Sequence, residues 1–154
     1  MEKSTHELFV SDTKMTIGVN FKVKIIIVNK QTVKLEIWDL GGEQRFKSLV
    51  PMYIRGALGG LFLYDISDYS TLAHIDDWLN LVKNEIRNKD LFPIICVGLK
   101  SSSADNREVE TEEGIKIAKA HGCAGFVECD VETGQNIEEA FEALTSILLD
   151  IFHH

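Results

Sequence analysis

The sequence predicts an α/β domain built on a doubly wound, mostly parallel sheet with one antiparallel edge strand. Apolar and polar residues alternate over 17–28 and again over 32–38, with a turn between them, which is typical of a half-buried hairpin. Short continuous apolar runs begin at Gly60 and Pro93, and a weaker run at Gly125, which indicates strands buried on both faces. Because helical patterns follow these runs, the sequence favours a parallel sheet covered by helices.

Three helical patterns and one loop complete the predicted order of elements. Residues 71–88 carry apolar side chains at spacings of three and four, and residues 111–121 begin with acidic side chains that suit a helix N-terminus. Residues 136–152 are again amphipathic, and their first residue, an asparagine, is a candidate N-cap. The stretch Lys100–Glu110 is rich in Ser, Asp and Asn and is predicted to be a surface loop.

Size, charge and cysteine content exclude several classes of protein. The 154 residues suit one domain, and the net charge of −8 argues against a nucleic-acid partner or an anionic membrane. Cys96, Cys123 and Cys129 form no Cys-x-x-Cys pair, so we expect reduced, mostly buried thiols in a cytoplasmic protein. The sequence shows no signal-peptide pattern and no prenylation box, so no lipid anchor is expected, and residues 153–154 are interpreted as a terminal tail or tag remnant.

The segment Trp38–Phe46 is the most informative motif of the chain. Asp39 comes at the end of an alternating strand and is followed at once by Gly41 and Gly42. An acidic side chain there can approach a phosphate-bound metal, and a glycine amide can approach a phosphate oxygen. The segment resembles the second phosphate-contacting motif, Asp-x-x-Gly, of the Ras-like small GTPases.

The resemblance to a Ras-superfamily G domain, of the Rab-like type, extends over most of the chain. Residues 16–21 resemble the end of the Rab-type switch I segment, and residues 53–57 and 64–65 also follow the Rab-type sequence. The resemblance implies a GTP-binding molecular switch that hydrolyses GTP, with GTP or GDP and Mg²⁺ as cofactors. It also implies effector or regulatory proteins that bind through the switch surface.

The resemblance assigns roles to six residues of this chain. It implies that Thr16 and Asp39 serve the metal and that the Gly42 amide contacts the γ-phosphate. Glu43 stands at the catalytic position of the water-orienting residue. The remaining two residues, Lys100 and Val131, are implied to contact the base.

Three substitutions depart from the family pattern. Glu43 replaces the usual glutamine, and a carboxylate ~4 Å from a γ-phosphate is repelled by at most about 4 kcal/mol. Ser102 stands where the family has the guanine-reading aspartate, and one hydroxyl cannot form the two-hydrogen-bond fork that a carboxylate forms. Asp130-Val131-Glu132 replaces Ser-Ala-Lys and makes the base end more acidic.

The largest departure from the family pattern is at the N-terminal end of the domain. No Gly-x-x-x-x-Gly-Lys-Ser/Thr occurs in the chain, so the first strand, the phosphate loop and the first helix are predicted to be missing. Residues 1–15 are then a remnant preceding switch I, and the Ras-like G domain covers 16–152. The central position of the sheet is filled by Glu7–Val10 as a short strand, by closure of the flanking strands, or by another chain in a homodimer formed through the unfilled sheet edge.

Two accounts explain a chain of this kind. It is a fragment of a longer GTPase, or it is a relative that has no phosphate loop. For the chain as given we predict weak or absent nucleotide binding and hydrolysis, because the phosphate loop and the base-reading residues are lost together. The alternative function is a pseudo-GTPase, an interaction module that acts without nucleotide.

Overall fold

A six-stranded sheet forms the centre of the domain in a computed structural model, which describes residues 5–12, 19–41, 48–86, 88, 91–102 and 106–152. Within 5–12, and at Val19, only the backbone is described. The strands, in chain order, are β1 Thr5–Asp12, β2 Val19–Val28, β3 Gln31–Gly41, β4 Gly59–Asp65, β5 Ile94–Lys100 and β6 Gly125–Asp130. The helices are α1 Val50–Ile54, α2 Tyr69–Ala73, α3 Ile75–Glu85, α4 Thr111–Ala120 and α5 Ile137–Phe152.

The sheet has the order β2-β3-β1-β4-β5-β6, and within it only β2 runs antiparallel to its neighbour. This arrangement confirms the predicted doubly wound sheet with one antiparallel edge strand.

Strand β1 occupies the centre of the sheet. It pairs in parallel with β3 from Thr5 to Asp12 and with β4 from Leu8 to Ser11. Of the three arrangements that the sequence left open, the structure therefore has the first, in which a strand containing Glu7–Val10 fills the slot. The sheet begins within the segment assigned to a remnant. The predicted homodimer needed an unfilled interior edge, and no such edge exists in the described sheet because β1 is paired on both sides.

The hairpin β2–β3 turns at Asn29 and Lys30, whose φ values of 53° and 65° are those of a type I′ turn. Asparagine tolerates this left-handed backbone, which is why a two-residue connection forms here. One face of the hairpin is buried through Val33 and Leu35, and the other leaves Ile25 and Ile27 exposed at 66% and 69%.

Helices cover both faces of the sheet and create two hydrophobic cores. One core lies under α1–α4 and includes Phe62, Tyr64 and Trp78. The other lies under α5, where Leu144 and Leu148 meet the buried faces of β3, β4 and β5. No helix within the described ranges is long and apolar enough to cross a membrane.

The predicted helix over 71–88 is divided in the structure. Asp68 caps α2 by accepting a hydrogen bond from the Ser70 amide at 3.1 Å, and the backbone at His74 (ψ 7°) separates α2 from α3. The other two predicted helices agree within one residue at each end. Asn136 precedes α5, but its backbone is left-handed (φ 70°) and its side-chain amide donates to the Glu128 carbonyl at 3.0 Å.

Candidate functional site

The carboxyl ends of the parallel strands share one edge of the sheet, where ligands bind in open α/β sheets. Asp39 lies near the end of β3, Lys100 ends β5, and Val131 follows β6 directly. Thr16, Gly42 and Glu43 lie outside the described residues, and the roles assigned to them stay predictions.

Along this edge, the predicted metal-binding residue Asp39 lies far from the predicted base-contacting residues Lys100 and Val131. We call these two places the metal end and the base end of the site. Asp39 is half-buried and stands level with Val10 of β1 and Asn20 of β2. Strands β1 and β4 lie between β3 and β5, so β3 and β5 are three strand spacings of ~4.8 Å apart. Asp39 and Lys100 are therefore separated by about 14 Å across the sheet. One small ligand that contacts both residues has to extend along this edge.

A cavity of about 560 Å³ lies at the base end of the edge. The Val131 amide donates to the Lys100 carbonyl at 2.8 Å, so the two predicted base-contacting residues lie side by side. Half of the Val131 side chain is exposed. The remaining lining residues come from the β4–α2 connection, the end of β5 and the loop that follows it, and the end of β6: Asp65, Ile66, Ser67, Leu99, Ser101, Ser102, Asn106, Arg107 and Asp130.

Glu132 engages the residue at the base-reading position. The Ser102 hydroxyl donates to Glu132 Oε1 at 3.1 Å, and the Ser101 hydroxyl donates to the same carboxylate. Neither serine carries the negative charge and paired acceptors that a guanine edge requires. The described residues at this end therefore do not fit the usual guanine site.

Asp130 organises the loop that carries Val131. Its Oδ1 accepts hydrogen bonds from the Glu132 amide at 2.8 Å and the Thr133 amide at 3.2 Å. Burial acts to raise the pKa of Asp130, but these amide hydrogen bonds and a contact with Ser102 outweigh it and leave the pKa below its usual 3.8. Asp130 is thus anionic at neutral pH, and with Glu132 it makes this end of the edge acidic, as the sequence indicated.

An ion pair that sequence reasoning missed holds Arg107, one of the residues that line the cavity. Arg107 binds Glu128 through both guanidinium nitrogens at 2.9 and 3.0 Å, and the Thr111 hydroxyl donates to the same carboxylate at 2.9 Å. Burial tends to raise the pKa of Glu128, but the hydrogen bonds from Arg107 and Thr111 lower it overall, and the pKa of Arg107 is raised in return. No pattern in the sequence relates two residues so far apart in the chain.

Three aromatic side chains pack together near the β2 edge of the sheet, where Phe21 is exposed and Trp38 and Tyr53 are half-buried. The Trp38 ring lies 4.6 Å from the Phe21 ring and 4.9 Å from the Tyr53 ring, centroid to centroid. We call these three residues the aromatic triad. It joins β2, β3 and α1, and on β2 it continues into Val23, Ile25 and Ile27, which are all exposed.

The strand order, the motif at the end of β3 and the cavity after β5 and β6 define a G domain of the Ras type. The Ras family model matches residues 1–150, and the chain belongs to the Ras family of small GTPases. It is similar to the Ras-related protein Rab-18-B of Danio rerio, with 38% identity over 145 residues, which cover 94% of this chain and 69% of the relative. It is also similar to the Ras-related protein RABA6b of Arabidopsis thaliana, with 37% identity over 141 residues, 92% of this chain and 60% of the relative.

These relatives make the chain a Rab-like member of the family. Rab-like GTPases act with effector and regulatory proteins, and membership implies GTP or GDP and Mg²⁺ by resemblance. Among the described residues no three His, Cys, Asp or Glu side chains converge as a metal site, and Asp39 is the one described member of the predicted metal pair.

Proposed function

We propose that this chain acts as a Rab-like protein-interaction module that binds guanine nucleotides weakly or not at all. The observation that carries the proposal is the connection between the central strand and the edge hairpin. Strand β1 ends at Asp12 and β2 begins at Val19, which leaves residues 13–18 between them. The phosphate-loop motif alone takes about eight residues and leads into a helix, so this connection is too short to contain it.

The base end supports the same conclusion. A guanine site rejects a poor match strongly when its hydrogen-bonding groups are unsatisfied, and it binds weakly when the reading carboxylate is absent. Ser102 replaces that carboxylate, and its hydroxyl is already bound to Glu132. If a nucleotide is held, Asp39 would face its metal, and Lys100 and Val131 would lie along its base.

The aromatic triad is the proposed binding surface for effector or regulatory proteins. Phe21 is 46% exposed although it packs against Trp38, and the apolar strip beyond it on β2 is still more exposed. Aromatic side chains supply much of the free energy at protein interfaces because they bury a large area at small entropic cost. A cytoplasmic location is part of this proposal, and the three free cysteines support it.

Nucleotide titration tests the proposal. Labelled GDP or GTP, added with Mg²⁺ to the full chain, should show no sub-micromolar binding and no thermal stabilisation. A nucleotide at a hundredfold excess over its Kd would stabilise the fold by about 2.7 kcal/mol, which a melting curve detects easily. Sub-micromolar affinity for either nucleotide would refute the proposal.

Weak nucleotide binding has two proposed causes, the missing phosphate loop and the replaced base-reading residues. A variant that restores the base-reading residues separates them. The family has Asn-Lys-x-Asp where this chain has Leu99 to Ser102, so the double variant Leu99→Asn with Ser102→Asp returns the family residues at the base end. We expect it to bind no more tightly than the original chain, because the phosphate grip is still absent. Tight binding by this variant would show that the base end is limiting and that the β1–β2 connection does not carry the effect.

The interaction surface is tested by Trp38→Ser, with Tyr69→Ser as the matched control. Tyr69 is exposed on α2, away from the triad. After removal of nucleotide, proteins retained from a lysate should be lost with Trp38→Ser and kept with Tyr69→Ser. The melting temperature of each variant checks that the fold is intact, and equal retention by both folded variants would refute the role of the triad.

A further inference from the structure

The two loops at the base end are bonded to each other by the protein itself. Strands β5 and β6 pair as far as Lys100 and Asp130, and the Val131 amide continues the ladder by donating to the Lys100 carbonyl at 2.8 Å. Val131 is one of the residues that the resemblance assigns to the base. Its backbone donor is used inside the protein, so it is no longer available to a ligand.

A second link between the loops is made by one carboxylate. Glu132 accepts a hydrogen bond from Ser102 on Oε1 at 3.1 Å and one from Ser101 on Oε2. We call these three residues the carboxylate bridge. Both serines line the cavity at the base end, whereas Glu132 is not among its lining residues. Because a hydroxyl has one hydrogen to donate, each serine gives its donor to the opposite loop and has none left for a ligand in the cavity.

The loop that carries Glu132 is fixed by its own hydrogen bonds. Asp130 Oδ1 accepts from the Glu132 amide at 2.8 Å, and the Asp130 carbonyl accepts from the Gly134 amide at 2.8 Å. Gly134 has a φ of 81°, a left-handed backbone that glycine adopts without strain. Glu132 therefore loses little backbone freedom when it reaches the serines, which favours the bridge over an isolated contact between exposed side chains.

The sequence at the two ends of the bridge departs from the family pattern in a matched way. The family has an aspartate where this chain has Ser102, and a lysine where this chain has Glu132. Here the first loop carries a neutral donor and the second carries the carboxylate. Carboxylates at both positions would repel each other across the short distance that the bridge now spans. The residues at positions 102 and 132 therefore have to suit each other.

We propose that Glu132 determines the nucleotide independence of this end of the domain, because it joins the two base-end loops in place of a bound base. The inference deepens the proposed function and rests on it, since it names the contact through which the base end holds together without its ligand. It follows that a carboxylate at position 102 is tolerated only when position 132 carries no negative charge.

A double-mutant cycle on the full chain, measured by urea unfolding without nucleotide, tests this dependence. Glu132→Lys alone should raise the equilibrium constant for unfolding by about two- to fivefold, because the bridge is lost. Ser102→Asp alone should raise it by at least about fivefold, because the new carboxylate faces Glu132. In the double variant the two charges attract, so unfolding should be at least about fivefold less favourable than the product of the single effects predicts.

Asp150→Lys is the matched control for the change of charge. Asp150 is exposed on α5, about 20 Å along the helix from its start near the base end. Combined with Ser102→Asp, it should give the product of the two single effects. Simple products in both cycles, or equal coupling in both, would overturn the proposal.

Amide hydrogen exchange shows whether the bridge acts locally. In Glu132→Ala the Val131 amide should exchange about two- to fivefold faster, while the Leu63 amide, at the centre of the sheet, should change less. An increase at Val131 no larger than that at Leu63 would refute the bridge. Neither experiment uses nucleotide, so its failure is distinguishable from that of the proposed function, which tight nucleotide binding would overturn whatever the cycle gives.

Discussion

The hydroxyl of Tyr64 is the clearest point at which the structure predicts a gain in stability. The side chain is fully buried in the core under α3 and α4, and its oxygen has no hydrogen-bond partner among the described residues. Burial raises the pKa of Tyr64, and the nearby Cys96 and Glu128 add to that effect. A buried hydroxyl without a partner costs about 1–3 kcal/mol relative to its hydrated state.

Tyr64→Phe removes this cost and leaves little empty space. A Cβ built on Gly114 would lie 2.3 Å from the Tyr64 oxygen and one on Gly98 would lie 2.8 Å from it, so both backbones already pack closely around the hydroxyl. Some dispersion energy is lost with the oxygen, which leaves an expected gain of about 1 kcal/mol. In a domain of this size that gain raises the melting temperature by about 2–4 °C.

Gly114→Ala tests the close packing between Gly114 and the Tyr64 hydroxyl by adding a methyl group on the Gly114 side. The added methyl would meet the Tyr64 oxygen at 2.3 Å and the Phe126 ring at 2.8 Å, so overpacking should cost about 1–3 kcal/mol, partly offset by about 1 kcal/mol of helix propensity. In the Tyr64→Phe background the shortest clash is gone. The cost of Gly114→Ala should therefore fall by about 1 kcal/mol, as a coupling between contacting residues.

Urea unfolding of the two single variants, the double variant and the original chain gives this cycle directly. Tyr69→Phe is the matched control, since Tyr69 is exposed and its loss of a hydroxyl should change stability by less than about 0.5 kcal/mol. A loss of stability of 1 kcal/mol or more in Tyr64→Phe would show that the hydroxyl is bonded. No coupling with Gly114→Ala would refute the packing argument.

Three further outcomes follow from individual contacts. Arg107→Met should cost about 2–3 kcal/mol in urea unfolding, because the Arg107 and Glu128 side chains are only 26% and 11% exposed and the carboxylate loses its partner. Since the folded-state pKa of Glu128 lies below 4.5, its contribution is present above that pH and is lost as the pH falls, so the difference should narrow as the pH falls below 4.5. Asp68→Ala should cost about 1 kcal/mol through loss of the α2 cap, and Asp68→Asn should restore most of it. Thr145→Val should leave the melting temperature nearly unchanged, because the Thr145 hydroxyl donates only to a carbonyl of its own helix.

The sheet was largely predictable from sequence because its signals are local. Alternation in the hairpin and continuous apolar runs in the buried strands depend on which faces are covered, and these patterns reproduced β2 to β6 within a few residues. The break at His74 was not predicted, since the apolar spacing continues through it. It depends on the backbone at His74 (φ −86°, ψ 7°), which ends α2 although that spacing continues.

Contacts between distant segments could not be predicted. Glu132 reaches Ser102 and Arg107 reaches Glu128 only because adjacent strand ends bring their loops together. The length of β1 could not be predicted either. Glu7–Val10 is a short stretch, and its extension to Thr5–Asp12 depends on pairing with the edges of β3 and β4. Asp39, Lys100 and Val131 were identified through motif position, and the structure places two of them together. The sequence motif could not show that Ser102 is occupied by a carboxylate from the next loop.

The two borders of the central strand differ in length. β1 is bonded to β3 along its whole length but to β4 only from Leu8 to Ser11, so the β1–β4 border is the shorter of the two. Sub-global opening, of the kind that amide hydrogen exchange detects, should therefore separate β1–β3 from β4–β6 along this border. Helix α5 packs over both units, meeting Leu35 on one side and Ile95 on the other. Helix α5 therefore opposes this separation, and shortening it should let the two halves open at lower free energy.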